Sequence, residues 1–462
     1  MNNCVVVGGG LCGLFSAILL ADKCQKVTIV ESAKSCGGLL KSVKDDAGVV
    51  YDQGTHIPNT TGIDEIDNIL FGQSSELDKH WHKLATLKTG SFFNGKWNLA
   101  NQSVDIRNLP KGLYNQAVAE LMANEQESDA ENIVDYLRES LGDTITEQVI
   151  APIVQKLYGS DVDGTQLQRN SSVNYFGLTR VLALGEKSSK ALKEIPVFDQ
   201  KLSYHTAKDY QEKLIELGVV EPKYYYPLAK DKGIEYWVEH LVSQAKAKGV
   251  EFITDDFINH IEHSNNRISQ VTLGKSQQTI PCDFLYWSAP PAFALKAAGM
   301  ESSMCKADFR TANIFYFNFD QPLNDQTSHF LWNWHGTHKS FRITLYPNLF
   351  KNITDNANNI SVEVLSSPDE AESITAEMVL QEVKEMALVP ENTKVISQMR
   401  QTIHNTFPVP TFEFAQATVE NYEKLTNSFE NVMVSGRFSG KQWFHADVLT
   451  AAYHGINEKF SS

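Results

Sequence analysis

The chain has 462 residues, of which 42% are hydrophobic and 21% are charged. This composition excludes a disordered chain, and the length exceeds what one hydrophobic core supports, so we expect two or three lobes. The formal net charge of −15 at pH 7 disfavours nucleic acid and anionic membranes as partners, because both would repel the protein.

The cysteines and the apolar segments indicate a cytoplasmic protein. Apolar stretches such as Leu14–Ala21 are too short to cross a bilayer, and the first residues lack the pattern of a secretion signal. The cysteines form no CxxC pair: Cys4, Cys12, Cys24, Cys36, Cys282 and Cys305. We therefore expect reduced thiols, no metal site and no membrane insertion, and a homo-oligomer is compatible with the sequence.

The first half of the chain begins with alternating strand and helix and then turns helical. The predicted N-terminal elements are a strand at Cys4–Val7, a helix at Leu11–Asp22 and a strand at Lys26–Glu31. From about residue 63 to 215 the pattern is mostly helical, with Tyr114–Met122 and Glu131–Leu141 as examples.

The second half returns to mixed elements after Tyr226. The predicted elements are a helix at Ile234–Lys248, strands at Gly249–Ile253, Arg267–Leu273, Gln277–Trp287, Ile314–Phe319, Phe341–Tyr346 and Asn431–Ser435, and a last helix at about Asp447–Asn457. The strands between 314 and 346 alternate as in an antiparallel sheet. The two ends and the region 250–287 share one α/β character, so other lobes are inserted between them.

A glycine string follows the first strand. Gly8, Gly10 and Gly13 form G-x-G-x-x-G between a strand and a helix, which is the order a dinucleotide site requires. The first glycine makes the turn, the second lets the backbone approach the pyrophosphate, and the third lets the helix pack on the strand. The positive N-terminal end of the helix then faces the phosphates. Glu31 ends the next strand, where a carboxylate can bind ribose hydroxyls. The predicted contacts here are Gly8, Gly10, Leu11, Cys12, Gly13, Glu31 and Ser32.

A second glycine pair distinguishes between dinucleotides. The acid at Glu31 suits the ribose of NAD or of FAD, but Gly37-Gly38-Leu39 follows it directly, and Tyr51-Asp52-Gln53-Gly54-Thr55-His56 comes next. Together these strings resemble the flavin-containing family of amine oxidases, protoporphyrinogen oxidases and UDP-galactopyranose mutases. The resemblance implies FAD, held non-covalently, with Gly37, Gly38 and Leu39 close to the flavin.

The resemblance extends over nearly the whole chain. Pro152–Gly159 followed by Leu167 resembles a pattern of the helical lobe in mutase-like members, and Asn431–Arg437 is similar to the strand and Gly-Arg beside the flavin. It implies that His56 lies beside the flavin, that Arg342 contacts a sugar diphosphate, and that Phe257 or Ile258 contacts adenine. It also places Gly436, Arg437, Asp447 and Val448 at the flavin end.

The implied architecture is α/β, with a discontinuous Rossmann-type FAD-binding domain, a mainly helical inserted lobe and an antiparallel-sheet substrate lobe. The predicted FAD-binding segments are 1–62, 221–292 and 426–462, the helical lobe is 63–220 and the β-rich lobe is 293–425. The substrate is expected to be a small molecule bound between the flavin face and the two inserted lobes.

Two enzyme classes remain open, with a non-catalytic flavin-binding protein as a third possibility. A mutase-like enzyme acts on an anionic nucleotide sugar and needs cations for its diphosphate, for which Arg342, Arg169 and Arg180 are candidates. The candidates for stacking on the base are Trp97, Tyr158 and Tyr175. An oxidase of the amine or protoporphyrinogen type instead takes a hydride onto the flavin and needs an apolar site.

Three departures from the mutase pattern make UDP-galactopyranose itself a doubtful substrate. Tyrosines expected near the C-terminus and before a proline are Trp443, Phe444 and Phe407 here, and these side chains cannot donate the phenolic hydrogen bonds. His445 is a candidate replacement donor. The pairs His80/His82 and His335/His338 are expected on the solvated surface, since neither has a carboxylate at metal-binding spacing. They are not predicted to be site residues.

Overall fold

A computed structural model describes residues 1–170, 176–305, 308–350 and 358–461. Tyr175, a candidate base-stacking residue, lies outside this part of the chain. The strands are β1 Asn3–Val7, β2 Lys26–Val30, β3 Ser42–Lys44, β4 Val50–Asp52, β5 Trp81–Leu84, β6 Thr89–Phe93, β7 Lys96–Asn98, β8 Val104–Asp105, β9 Val181–Leu182, β10 Tyr224–Pro227, β11 Glu251–Ile253, β12 Ile258–Ser264, β13 Arg267–Leu273, β14 Thr279–Pro281, β15 Phe284–Trp287, β16 Phe309–Phe319, β17 Phe330–Asn333, β18 Ser340–Leu345, β19 Asn358–Ser366, β20 Val395–Pro408 and β21 Val432–Val434.

The helices given next also lie within the described residues. They are α1 Leu11–Leu20, α2 Asp64–Phe71, α3 Leu77–His80, α4 Lys111–Ala123, α5 Ile133–Leu141, α6 Asp143–Ile145, α7 Ala151–Tyr158, α8 Glu186–Leu192, α9 Pro196–Lys201, α10 Ala207–Glu216, α11 Glu235–Ala247, α12 Pro291–Ala297, α13 Pro368–Ala371, α14 Ala376–Glu385, α15 Phe412–Ser428 and α16 His445–Lys459. None of these helices is long and apolar enough to cross a bilayer.

A five-stranded parallel sheet joins distant parts of the chain. Its order is β11-β2-β1-β15-β21, so strands from the beginning, middle and end of the sequence lie side by side. These strands are runs of Val, Ile, Leu and aromatic residues that are buried on both faces, as parallel sheets require. Helices α1, α11 and α16 pack together on one face, in a core that also contains Phe15 and Trp237.

A seven-stranded sheet forms the second layer. Its order is β20-β16-β19-β18-β17-β6-β7, with antiparallel pairs except for the parallel pair β6 and β17. One face carries Phe315, Phe317, Val362 and Val364, which pack against α14 in an apolar core. The other face carries Tyr316, Glu363 and Arg342 toward the N-terminal segment.

The helical lobe covers one end of this sheet. Its core combines α4, α5 and α7 with residues of the sheet such as Trp332 and Phe341. The range 63–215, expected to be mostly helical, also contains β6 and β7, which extend the seven-stranded sheet. The domain boundaries remain a prediction. Strands β6 and β7 lie in the predicted helical lobe 63–220 but belong to the sheet of the predicted β-rich lobe 293–425.

Candidate functional site

The carboxyl ends of four parallel strands meet at one edge. Gly8 follows β1, Glu31 follows β2, Ser288 follows β15 and Gly436 follows β21. Ser288 lies at the centre of this edge: its hydroxyl donates to the Val7 carbonyl at 2.7 Å, and its main chain approaches Gly436. Ligands of open α/β sheets bind at this edge, so the sheet itself defines the candidate site.

Gly13 is dictated by the close approach of α1 to β1. A Cβ at this position would lie 1.9 Å from the Gly8 carbonyl oxygen, which is a backbone atom and cannot rotate away. Gly8 has φ +97°, a conformation that L side chains rarely adopt. The first and third glycines of the string therefore have separate physical reasons, one a turn and the other helix packing.

The two glycine loops stand against each other. The Gly37 amide donates to the Gly9 carbonyl at 2.8 Å, and a Cβ on Gly38 would lie 3.3 Å from the Gly10 Cα. Helix α1 begins at Leu11, its N-cap residue Gly10 provides no side-chain cap, and no acid lies in its first turn. Its first amides therefore remain available for phosphate oxygens, as a pyrophosphate site requires.

Glu31 folds back onto the first glycine loop. One carboxylate oxygen accepts from the Gly9 amide at 2.6 Å, and the other accepts from the Ala33 amide at 2.7 Å and the Ser32 hydroxyl at 3.2 Å. The side chain thus fixes the first glycine loop against the segment that follows β2. The oxygen that accepts from Gly9 has one lone pair left, so the predicted ribose contact is compatible with this arrangement.

The remaining predicted cofactor residues on the first and second segments lie near the same edge. The Cys12 thiol lies 3.3 Å from the Tyr286 hydroxyl and 3.6 Å from the Ser435 hydroxyl, so it joins α1 to the ends of β15 and β21. Leu39 is about half exposed beside the glycine pair. The segment that leads to Phe257 and Ile258 runs next to Glu31, whose amide donates to the Ile253 carbonyl.

The C-terminal segment forms the other end of the site. Arg437 is exposed, donates to the Trp443 carbonyl at 2.9 Å and lies 5.1 Å from the Trp443 ring. Asp447 is the third residue of α16, in its first turn, and Val448 is buried against the core. The acid therefore lies in the turn predicted for it, although the helix begins two residues earlier, at His445.

His445 presents a buried nitrogen without a hydrogen-bond partner among the described residues. Burial lowers the pKa of His445 to about 4, its bond to the backbone of Asn59 raises it and the charge of Arg437 lowers it. Its Nε2 is the atom that lacks a partner. Because the ring is neutral at pH 7, this nitrogen can accept a hydrogen bond from a ligand at the flavin end.

The loop 53–56 rests on the seven-stranded sheet. The Thr55 hydroxyl lies 2.6 Å from the Thr344 hydroxyl, and both its amide and its hydroxyl donate to Glu363 at 3.1 Å. The Gln401 amide donates to the Gln53 side chain at 3.1 Å. The N-terminal domain and the sheet therefore share one polar interface beside His56.

Arg342 is held by Glu363, a residue that the sequence reasoning missed. Its Nε and Nη2 donate to the two carboxylate oxygens, each at 2.7 Å, and both side chains are almost fully buried. Burial raises the pKa of Glu363, but the charge of Arg342 outweighs this effect and the pKa is lowered overall. An isolated acid in the β-branched strand β19 was the signal that could have pointed to it.

His56 lies within reach of the charges of both flanking segments. The pKa of His56 is lowered to about 4, mainly by burial and also by the charges of Arg342 and Arg437, while Glu363 opposes them. Its Nε2 lies 3.0 Å from the Gln53 carbonyl, which can only accept, so Nε2 carries the proton and Nδ1 is an acceptor. The structure thus brings together His56, Arg342 and Arg437 from three separate segments.

Aromatic rings line the sheet beside Arg342. The guanidinium lies 5.6 Å from the Trp332 ring and 5.5 Å from the Phe341 ring, and Trp332 stacks on Trp334 at 5.0 Å. Phe176 of the helical lobe contacts Trp332 edge-on at 5.5 Å. The surface next to the Arg342 guanidinium is therefore mainly aromatic, and we call it the aromatic wall.

Other candidate substrate residues have structural roles. Arg169 donates to the Ser128 carbonyl, and Arg180 donates to the Asp199 and Leu202 carbonyls, so both fasten loops of the helical lobe. Trp97 is half-buried and donates to the Met386 carbonyl, and Tyr158 is buried in the core. These contacts do not favour the diphosphate or base contacts considered for them.

The expectation for His338 was wrong. This ring is buried, lies 3.0 Å from the Asn333 amide and pairs with Glu385 at 3.2 Å, because the β17–β18 turn folds against α14. The same turn is held by Lys156, whose ammonium donates to the carbonyls of Asn333 and two neighbours at 2.6–3.0 Å. Within the described ranges no group of three or more His, Cys, Asp or Glu could hold a metal ion.

Comparison with known proteins supports this architecture. Residues 6–68 match the model of the NAD(P)-binding Rossmann-like domain. The solved structure of reduced UDP-galactopyranose mutase matches with a TM-score of 0.74 and 14% identity, covering 100% of this chain and 96% of the other. The chain therefore shares the overall fold of this mutase structure. No curated protein sequence matches the chain.

Two further solved structures share this fold. A protein assigned as a protoporphyrinogen oxidase from Exiguobacterium sp. 255-15 has a TM-score of 0.68 and 13% identity, covering 100% of this chain and 99% of the other. An oxidoreductase from Methanosarcina mazei has a TM-score of 0.60 and 13% identity, covering 98% of this chain and 100% of the other. The recognised resemblance and the predicted fold class are thereby confirmed, at the level of fold.

Proposed function

We propose that this protein is an FAD-dependent enzyme that holds its cofactor non-covalently. The observation that carries the proposal is the pair of glycine loops at the carboxyl edge, where the backbone is bare and the start of α1 is uncapped. The cradle fits a pyrophosphate, and the Gly436–Arg437 segment continues it toward the buried Nε2 of His445.

Named residues would hold each part of FAD. Gly8, Gly10 and the first amides of α1 (Leu11, Cys12) would bind the pyrophosphate, while Glu31 and Ser32 would bind the adenosine ribose. The remaining contacts would come from Gly13, Gly37, Gly38, Leu39, Phe257, Ile258, Gly436, Arg437, Asp447 and Val448. When bound, FAD would supply either a reduced ring that attacks the anomeric carbon of an activated sugar or an oxidised ring that accepts a hydride.

We infer that the substrate is a nucleotide-activated sugar and that the reaction is an isomerisation resembling that of UDP-galactopyranose mutase. The fold match to the mutase over both whole chains supports this assignment. His56 would act at the sugar through its acceptor nitrogen Nδ1, and Arg437 would provide an exposed cation for the diphosphate. Arg342 would orient the substrate from the sheet.

One observation favours a second function, an oxidation of the amine or protoporphyrinogen type. Glu363 neutralises Arg342 through two hydrogen bonds, and aromatic rings surround the guanidinium. A neutralised arginine attracts a diphosphate less strongly than an unpaired one. An apolar substrate that donates a hydride would fit this wall without a dedicated cation.

The two functions differ in their use of reductant. FAD-loaded protein reduced with dithionite is incubated with a panel of UDP- and dTDP-sugars, and products are separated chromatographically. The mutase-like function predicts an isomerised sugar with no reductant consumed per turnover. The oxidase-like function predicts no sugar product and acceptor consumption in proportion to an amine or porphyrinogen-type product.

A matched pair of variants tests the site. His56→Asn is expected to abolish turnover while FAD content is retained, because the substitution removes the buried imidazole. His80→Asn serves as the control, since His80 is exposed. Equal turnover by both variants would contradict the role of His56.

A further inference from the structure

Helix α10 and the segment that follows it form an exposed apolar surface. Tyr210, Leu214 and Leu217 recur at helical spacing, yet no residue of α10 is buried. The exposed fractions are 67% for Leu217 and 67% for Val220, and Ile215 and Val219 are also exposed. We call the residues 210–220 the α10 surface. An amphipathic helix whose apolar residues remain in solvent is a feature of interaction sites.

The charges around this surface exclude an anionic partner and suit a second copy. Residues 207–223 contain three lysines and four carboxylates, a net charge of −1 in a chain that carries −15. Two copies of the protein can therefore approach each other here with little of the repulsion that acts elsewhere. An anionic membrane would need a basic helix face, which α10 lacks.

The order of charges along α10 is self-complementary. Lys208 lies near the N-terminal end and Glu216 at the C-terminal end, so these two charges have the sign that the helix dipole disfavours, although Asp209 and Lys213 complement it. Within the helix, Lys208 pairs with Glu212 at 3.6 Å and Glu216 with Lys213 at 3.5 Å, and both pairs are exposed. An antiparallel neighbour related by a two-fold axis places each of these charges beside the opposite end of the partner helix. There Lys208 meets Glu216, and both dipole interactions become favourable.

We propose that the α10 surface is the dimer interface of this protein, formed by a second copy of the same chain around a two-fold axis. The contact lies close to the candidate site. The Thr60 amide donates to the Lys223 carbonyl at 2.9 Å, and Val220 packs against Gly62, in the loop that follows His56. A dimer would therefore support the loop that carries His56.

Sedimentation velocity of the full chain tests the proposal. The wild type is expected to sediment as a dimer, and Leu217→Glu/Val219→Glu as a monomer with an unchanged circular dichroism spectrum. The matched control is Val419→Glu on α15, which is also an exposed apolar residue and is expected to leave the dimer intact. A monomeric wild type, or a dimer that survives the double substitution, would overturn the proposal.

A charge reversal distinguishes two-fold pairing from non-specific apolar association. Lys208→Glu is expected to weaken the dimer at least tenfold, because it faces Glu216 of the other copy. The double variant Lys208→Glu/Glu216→Lys is expected to restore it. Failure of the double variant to recover dimerisation contradicts the antiparallel arrangement. Binding of a monomeric wild type to phosphatidylglycerol vesicles would instead assign the surface to a membrane.

Discussion

The ion pair between Arg342 and Glu363 provides a test of the site's internal structure. The change is Glu363→Gln, which keeps the shape of the side chain and removes its charge. Two hydrogen bonds of 2.7 Å join the pair, and the exposed fractions of the side chains are 11% and 4%. Removing one member of such a buried pair costs about 3–5 kcal/mol, because an unpaired charge remains buried.

A double-mutant cycle isolates this effect. We expect Glu363→Gln to destabilise by about 3 kcal/mol, since the Gln oxygen keeps one acceptor, and Arg342→Met/Glu363→Gln to cost less than the two single changes added together. The free energy of unfolding is measured by urea denaturation of each variant. The control Glu76→Gln breaks an exposed pair with Lys79 and is expected to cost at most about 1 kcal/mol.

The outcome that refutes this reasoning is additivity. If Glu363→Gln costs no more than Glu76→Gln, or if the double variant equals the sum of the single variants, the pair does not hold the sheet face together. The aromatic wall around Arg342 would then need another explanation. Arg342 would also regain its full charge for a substrate diphosphate.

Three further changes probe the cradle, a buried carboxyl and the hairpin turn. Gly13→Ala is expected to destabilise by about 3 kcal/mol or more and to abolish FAD binding, whereas Gly112→Ala, with open space around it, stabilises by about 0.4–1 kcal/mol. Burial raises the pKa of Asp52 to about 6. The stabilising contribution of this carboxyl is therefore fully present below about pH 4, and about 3 kcal/mol is lost as the pH rises from about 4 to about 6; Asp52→Asn removes this dependence. Lys156→Met is expected to cost about 3 kcal/mol, because three carbonyls lose their donor.

Each of these has a distinct readout. Urea denaturation compares the Gly13 and Gly112 variants, and equal stability of the two would contradict the backbone clash. For Asp52, unfolding is followed from about pH 4 to about pH 7, and parallel curves for wild type and Asp52→Asn would disprove the assigned pKa. For Lys156, urea denaturation compares Lys156→Met with the wild type. Equal free energies of unfolding would contradict the claim that the ammonium holds the β17–β18 turn.

The dinucleotide domain could be predicted from the sequence because its signals are local. Gly8, Gly10 and Gly13 lie within six positions, and each residue answers to the backbone of its immediate neighbours. Glu31 ends the adjacent strand, so its place in the sheet follows from the strand order. The parallel sheet was predicted from the α/β character that both ends and the region 250–287 share, and the C-terminal Gly-Arg segment was predicted from the family resemblance.

The contacts of Glu363 with Arg342 and Thr55 could not be predicted, since they depend on strand register. Glu363 meets Arg342 because β18 and β19 pair these two positions, and it meets Thr55 across 308 residues of sequence. The strands β6 and β7 were missed because they are short and join the sheet only through the pairing of β6 with β17, which lies far along the chain. His338 was predicted to lie on the surface because its burial comes from the packing of the β17–β18 turn against α14, which no local pattern indicates.

The most direct test of the central claim is a titration of the apo-protein with FAD, followed by the quenching of flavin fluorescence. We expect saturable binding at one site, competition by ADP, weak binding of NAD, and loss of binding in Gly13→Ala but not in Gly112→Ala. Denaturation should release unmodified FAD, as non-covalent attachment requires. Absence of FAD binding by folded protein, or equal binding by both glycine variants, would contradict the account.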